Sequence, residues 1–139
     1  MRHLLLLFLI LGASGCASSW YIGEWTVTEA RFPGISAMGV DEAREWYGAE
    51  AVYAASSVTF RDESCEQPRF TASEMDEAAF TRAYRTTFSA LDIEGLSVRI
   101  VEVGCPDNWV HPGALLIEAG PESGYIVWDG VFFKMLKSD

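Results

Sequence analysis

The scarcest reactive side chains in this sequence are its three cysteines, Cys16, Cys65 and Cys105, and a single histidine beyond His3, His111. No C-x-x-C pair occurs, and a structural zinc site usually needs four clustered ligands, so spacing gives no support to a metal or redox role. His111 lies in N-W-V-H-P-G between Pro106 and Pro112, a loop context. A histidine there can act as a general base. No G-x-S-x-G elbow or other nucleophile signature accompanies it, however, and a lone loop histidine is more often exposed or hydrogen-bonded. The acidic runs D-E-A-R-E-W (41–46) and E-M-D-E (74–77) fall at expected helix starts, where carboxylates suit the helix dipole. Neither a D-x-[DN]-x-[DN]-G calcium loop nor a glycine-rich phosphate loop is present. These residues point to a non-catalytic protein with no metal and no cofactor.

Cys16 has a different explanation. Arg2 makes a short positive start, residues 4–11 form an unbroken apolar run of eight, and residues 12–15 are all small. A membrane-spanning helix needs about 20 apolar residues, so the run reads as a secretory signal that is removed. The sequence A-S-G-C at residues 13–16 resembles the lipobox of bacterial lipoproteins, with Ala13 where that family usually has leucine. The resemblance implies cleavage before Cys16, acylation of its thiol and anchoring in a membrane. It also implies the outer membrane, facing the periplasm, in a diderm host, because Ala17 rather than aspartate follows the cysteine. Ordinary secretion is the alternative: Ala13 and Gly15 also satisfy an A-x-A-like site, which would leave Cys16 bare. An odd cysteine count in an exported chain needs an explanation, and the lipid supplies one. With Cys16 acylated, Cys65 and Cys105 remain as an even pair in an oxidising compartment, expected to form a disulfide.

Cleavage would leave residues 16–139, enough for one core and not for two. The expected organisation is a signal peptide over 1–15, a short tether over 16–19 and a single domain over 20–139. Three residues between Cys16 and Trp20 span about 10 Å, which keeps the domain close to its membrane. Loss of the signal removes Arg2 and none of the 20 acidic residues, so nine basic residues face 20 acidic ones and the mature charge is −11. That charge argues against nucleic acid and against an anionic bilayer surface as partners. It suits a cationic partner, or solubility alone.

The domain reads as mainly β (α+β), a small antiparallel barrel-like sheet with one long helix and one short helix. Residues 20–30 alternate Tyr21, Gly23, Trp25, Val27 against Ile22, Glu24, Thr26, Thr28, a strand that Pro33 and Gly34 end. A short helix is expected over 41–48, with Asp41 as its cap and Gly48 as its stop. Residues 49–60 give a weaker strand signal, interrupted near Ala55 and Ser56, and residues 68–72 a short strand. Ser73 and Asp76 make a capping box for the long helix, whose apolar face carries Met75, Ala79, Phe80, Ala83, Tyr84 and Phe88. Four strands follow, around residues 96–105, 113–119, 125–128 and 131–136. Asp129-Gly130 is a two-residue hairpin signal between the last two, and the four make a meander that closes readily into a barrel.

Two further resemblances bear on binding. Gly23-Glu24-Trp25 on the first strand resembles the G-x-W of the lipocalins, which implies a barrel closed at one end by the tryptophan. Ser123, Gly124, Tyr125, Trp128 and Gly130 resemble the order of these residue types in the membrane-bound lysozyme inhibitors, small lipoprotein barrels that bind a cationic hydrolase; that family's inserted lysine has no counterpart, since Asp129 precedes Gly130. The leading expectation is binding of a small apolar or amphipathic ligand inside the barrel, between Trp25 and Trp128, brought together as a closed sheet unites its ends. The alternative is a protein-binding module that inhibits a cationic hydrolase. Intact mass of membrane-extracted protein is expected to exceed the 16–139 polypeptide by several hundred daltons, the mass of acyl chains on Cys16. Unmodified protein recovered wholly from the soluble periplasm would refute the anchor.

Overall fold

A computed structural model of the chain describes residues 19–107 and 110–139. Residues 1–18, which hold the expected signal segment, Cys16 and most of the expected tether, lie outside the described residues. Nine strands form one antiparallel sheet: β1 (Gly23–Arg31), β2 (Glu50–Tyr53), β3 (Ser57–Phe60), β4 (Glu63–Glu66), β5 (Arg69–Asp76), β6 (Ser97–Gly104), β7 (Leu115–Gly120), β8 (Ser123–Trp128) and β9 (Val131–Lys137). Their order across the sheet is β4-β3-β2-β1-β9-β8-β7-β6-β5. The first strand thus pairs with the last, and β6 to β9 form the expected meander. The sheet curls into a half-barrel.

Turn chemistry sets much of this register. Asp129 and Gly130 both take positive φ, 50° and 82°, as a type I′ hairpin requires, and Trp128 pairs directly with Val131. Residues 54–56 turn β2 into β3, with the Ala54 amide donating to the Ser57 carbonyl at 2.8 Å. Thr28 is the extra residue of a bulge where β1 pairs with β9; its hydroxyl donates to the Lys134 carbonyl at 3.3 Å. Such a bulge bends its strand and adds twist.

Side-chain alternation then gives the sheet two apolar faces. The concave face gathers Trp25, Val27, Ala51, Tyr53, Val58, Phe60, Val101, Val103, Leu116, Ile126, Phe133 and Met135 into one core. The opposite face of β6 to β9 carries Val98, Ile100, Ile117, Tyr125 and Phe132, under Phe80, Phe88, Leu91 and Ile93. The Tyr125 hydroxyl donates to the Leu91 carbonyl at 2.8 Å across that layer.

The helices differ from expectation. Ser73 pairs with Ile100 and Asp76 with Ser97, so the expected capping box is strand, and β5 runs eight residues rather than the short stretch over 68–72. Ladder partners on β6 outweigh a local cap. The helix α2 (Glu77–Tyr84) starts only after Asp76, whose carboxylate accepts the Ala79 amide at 2.8 Å, and ends at Arg85 with φ 58°. It is eight residues long, and Phe88 reaches the same cluster from beyond its end, 5.2 Å from the Phe80 ring. The short helix α1 (Val40–Arg44) starts after Gly39 without a side-chain cap. Residues 45–48 continue it as tight turns, Trp46 donating to Ala43 and Tyr47 to Arg44.

The two edge strands, β4 and β5, are separated in the chain only by Gln67 and Pro68. Cys65 of β4 is disulfide-bonded to Cys105, with the Cα atoms 5.9 Å apart. Cys105 directly follows Gly104, which pairs with Arg69 at the start of β5. The bond therefore fastens one edge of the sheet to the ladder at the other. A Cys65→Ala variant is expected to lose about 2 to 5 kcal/mol in urea unfolding, and reducing agent should lower wild type, but not the variant, to the same midpoint.

Candidate functional site

Trp25, placed on β1 by its alternation with Val27, faces the core and is 1% exposed. Its indole N–H donates to the Tyr21 carbonyl at 3.0 Å, and the Lys137 ammonium lies 5.5 Å from its ring centre. Gly124 gives the ring its room: a Cβ there would stand 2.8 Å from the Ile117 carbonyl oxygen and 3.4 Å from the indole. Trp128 shares the concave face and packs, half-buried, on the same core. The two tryptophans are not neighbours. Trp25 pairs with Lys137 and Trp128 with Val131, six positions apart along β9, which is about 20 Å at a strand's rise. β1 does pair with β9, but antiparallel direction puts these rings at opposite ends of the shared strand.

The space between them is occupied by protein. Tyr53, Phe60, Phe133, Met135, Leu116 and Ile126 fill the concave face, each at most 1% exposed. At the end where the chain enters, Trp20 closes over the core. The Lys137 ammonium donates to its carbonyl at 2.8 Å and the Arg99 guanidinium stands 5.6 Å from its ring. Arg99 pairs with Glu118 and the Ser97 hydroxyl with Glu74, so the polar groups of this rim are engaged with one another.

The convex side has a different feature at the other end of the sheet. A groove of about 420 Å³ is lined by Pro33, Ile35, Tyr84, Arg85, Val127 and Phe132, among others. Ile35 stands at its margin, 99% exposed. Pro33-Gly34 ends the first strand as expected, and the isoleucine after it carries no local periodicity that marks it out. The legible signal was a large apolar residue in a Pro-Gly turn, where packing does not demand one.

His111 borders the core. Its ring meets Phe60 edge-on at 5.3 Å, its Nδ1 accepts the Gly113 amide at 3.4 Å, and Glu63 lies 4.0 Å from Nε2. Burial pushes its pKa below the ordinary histidine value; Glu63 opposes this and Arg61 adds to it. Burial likewise lifts the Tyr125 phenol to about 12. Among the described residues, no group of three or more His, Cys, Asp or Glu side chains is placed to hold a metal ion.

No known protein family, curated protein or solved structure matches this chain. Its function must be argued from its own residues.

The lowered His111 pKa has a definite sign for stability. The unfolded chain takes up a proton as pH falls below about 6.5, while the folded histidine resists it, so stability is full above that value and declines beneath it. Unfolding free energy is expected to fall between pH 7.5 and 5.5, with a slope of at most about 1.4 kcal/mol per pH unit for one proton. The fall should be largely absent in His111→Gln, measured by urea denaturation at both pH values.

Proposed function

We propose that this chain is a non-catalytic lipoprotein of the bacterial envelope that binds a cationic protein through its outer surface, with cationic wall hydrolases of the lysozyme kind as the partner class. The observation that carries the reading is the filled interior. A lipocalin-like site needs a void between Trp25 and Trp128, and the half-barrel instead packs Tyr53, Phe60, Phe133 and Met135 there. Packing at crystal-like density leaves no volume for a guest without displacing side chains. That moves binding from the interior to the surface, where a mature charge of −11 favours encounter with a positive partner. The lipid on Cys16, through a tether of about 10 Å, would hold this surface at the periplasmic face of the outer membrane.

Lysozyme is the probe. Calorimetric titration is expected to give a dissociation constant in the micromolar range or tighter at about 0.02 M salt, weakening severalfold at about 0.15 M as screening sets in. Succinylated lysozyme, which keeps the ligand's chain but reverses its charge, should not bind. Equal affinity for the native and succinylated forms, or no binding of the native form at low salt, would overturn the reading.

A further inference from the structure

We infer that the loop of residues 33–38 is the contact through which the cationic partner is held, with Ile35 entering an apolar cleft of that partner while carboxylates beside the loop meet its lysines and arginines. The inference rests on the protein-binding reading above and names its site.

A singly exposed apolar side chain is ordinary on a protein surface. What distinguishes Ile35 is its mounting. Pro33 restricts the backbone ahead of it. The Ala37 amide donates to the Asp129 carbonyl at 2.8 Å, which ties the loop to the β8–β9 turn. The Ser36 hydroxyl donates to the Met38 carbonyl at 2.9 Å, and Met38 is sunk into the core at 5% exposure. Gly130 lies so close beneath that a Cβ would stand 2.4 Å from the Ile35 carbonyl oxygen. The backbone is thus held from below and behind while the side chain points into water. A loop already fixed in one shape loses little conformational entropy on binding, which is the condition for an efficient contact.

The surroundings select the occupant. The groove beside Ile35 offers Tyr84, Val127 and Phe132 as an apolar wall, and Val40 adds a second apolar side chain at 51% exposure. A knob beside a groove on one face also suits a second copy of the chain, but that would bring two bodies of charge −11 together. Asp41, Glu42, Glu45 and Asp129 are all exposed on the segments that carry the loop. Against them stand Arg44, which is paired with Asp41 at 3.3 Å, Arg31, which is engaged by Glu29 and Asp92, and Arg85 at the groove. An apolar contact ringed mainly by carboxylates fits a partner whose cleft is ringed by cations. Position agrees. β1 runs from Gly23 near the tethered end to Arg31 near the loop, about 25 Å at a strand's rise, so the loop lies at the end of the domain away from the anchor.

The test measures lysozyme affinity of the folded mature domain and three variants, each checked by circular dichroism. Ile35→Asp is expected to weaken binding about tenfold or more, as loss of a central apolar anchor does. Leu96→Asp changes an apolar residue of 91% exposure at the other end of the sheet and should leave affinity unchanged. Asp41→Asn with Glu42→Gln should slow association severalfold at low salt and converge on wild type at high salt. If wild type binds and Ile35→Asp binds equally well, the loop assignment is overturned while the proposed function stands. If wild type does not bind, both fall. Sedimentation showing a dimer of the free protein that Ile35→Asp dissolves would assign the loop to a second copy and overturn the cationic partner at this site.

Discussion

The fold depends on what happens at Gln67 and Pro68. β4 and β5 lie at opposite edges of a nine-stranded sheet, yet those two residues alone join them, so the sheet has to curl until its edges come together. Gln67 takes a left-handed φ of 55° and Pro68 has no amide to donate, so the chain turns a corner there instead of extending the β3–β4 ladder. The Cys65–Cys105 bond then holds the corner from the core side, where Cys65 is 2% exposed. Curling makes the concave face a closed core without a separate second sheet. It also leaves a strand edge unpaired on each side of the seam, a short charged one in Glu63–Glu66 and a longer one in Arg69–Asp76.

The curl protects one face only. On the other, β6 to β9 need cover, and α2 with the segment after it supplies Phe80, Phe88, Leu91 and Ile93. Burial on both faces is why Tyr125-Ile126 and Phe132-Phe133 are apolar at consecutive positions rather than alternating. Arg31 ties the cover to the sheet, donating to Glu29 and to Asp92 at 2.6 Å each. Its neighbours raise the guanidinium's already high pKa and hold the Asp92 carboxyl below the usual range. Asp92 is exposed, so this pair positions the segment more than it stabilises it.

Much of this was legible. Strong alternation in β1 and β6 and the Asp129-Gly130 turn fix their elements locally, because the signals lie within a few residues. The cysteine pair was legible by counting. The beginning of α2 was not, since Ser73 and Asp76 satisfy a capping pattern and only the remote partners Ile100 and Ser97 decide for strand. β4 was missed because E-S-C-E has one buried side chain and no apolar rhythm. At the level of sites, Trp25 was correctly read as facing inward with Val27, but alternation says nothing about how far along the strand Trp128 would lie. The interior's being filled depends on the summed volume of residues from eight strands, which no local pattern carries. Ile35 was overlooked because its exposure follows from Gly130 and Asp129, some 95 positions away.

The pairing of β1 with β9 carries a consequence for how the chain becomes a protein at all. Trp25 meets Lys137, so the central ladder of the sheet joins its first described strand to its last. Synthesis delivers the chain from the N-terminal side, and β1 has no partner on that flank until β9 has been made. Contacts this distant in sequence go with slow folding, because the loop between them has to be closed first. Before that, β1 to β4 lack the core partners that β6 to β9 supply, Val101, Leu116, Ile126, Phe133 and Met135 among them. Completion waits on the seven residues of β9, Val131–Lys137, so that strand acts as the clasp that turns an extended polypeptide into a folded one.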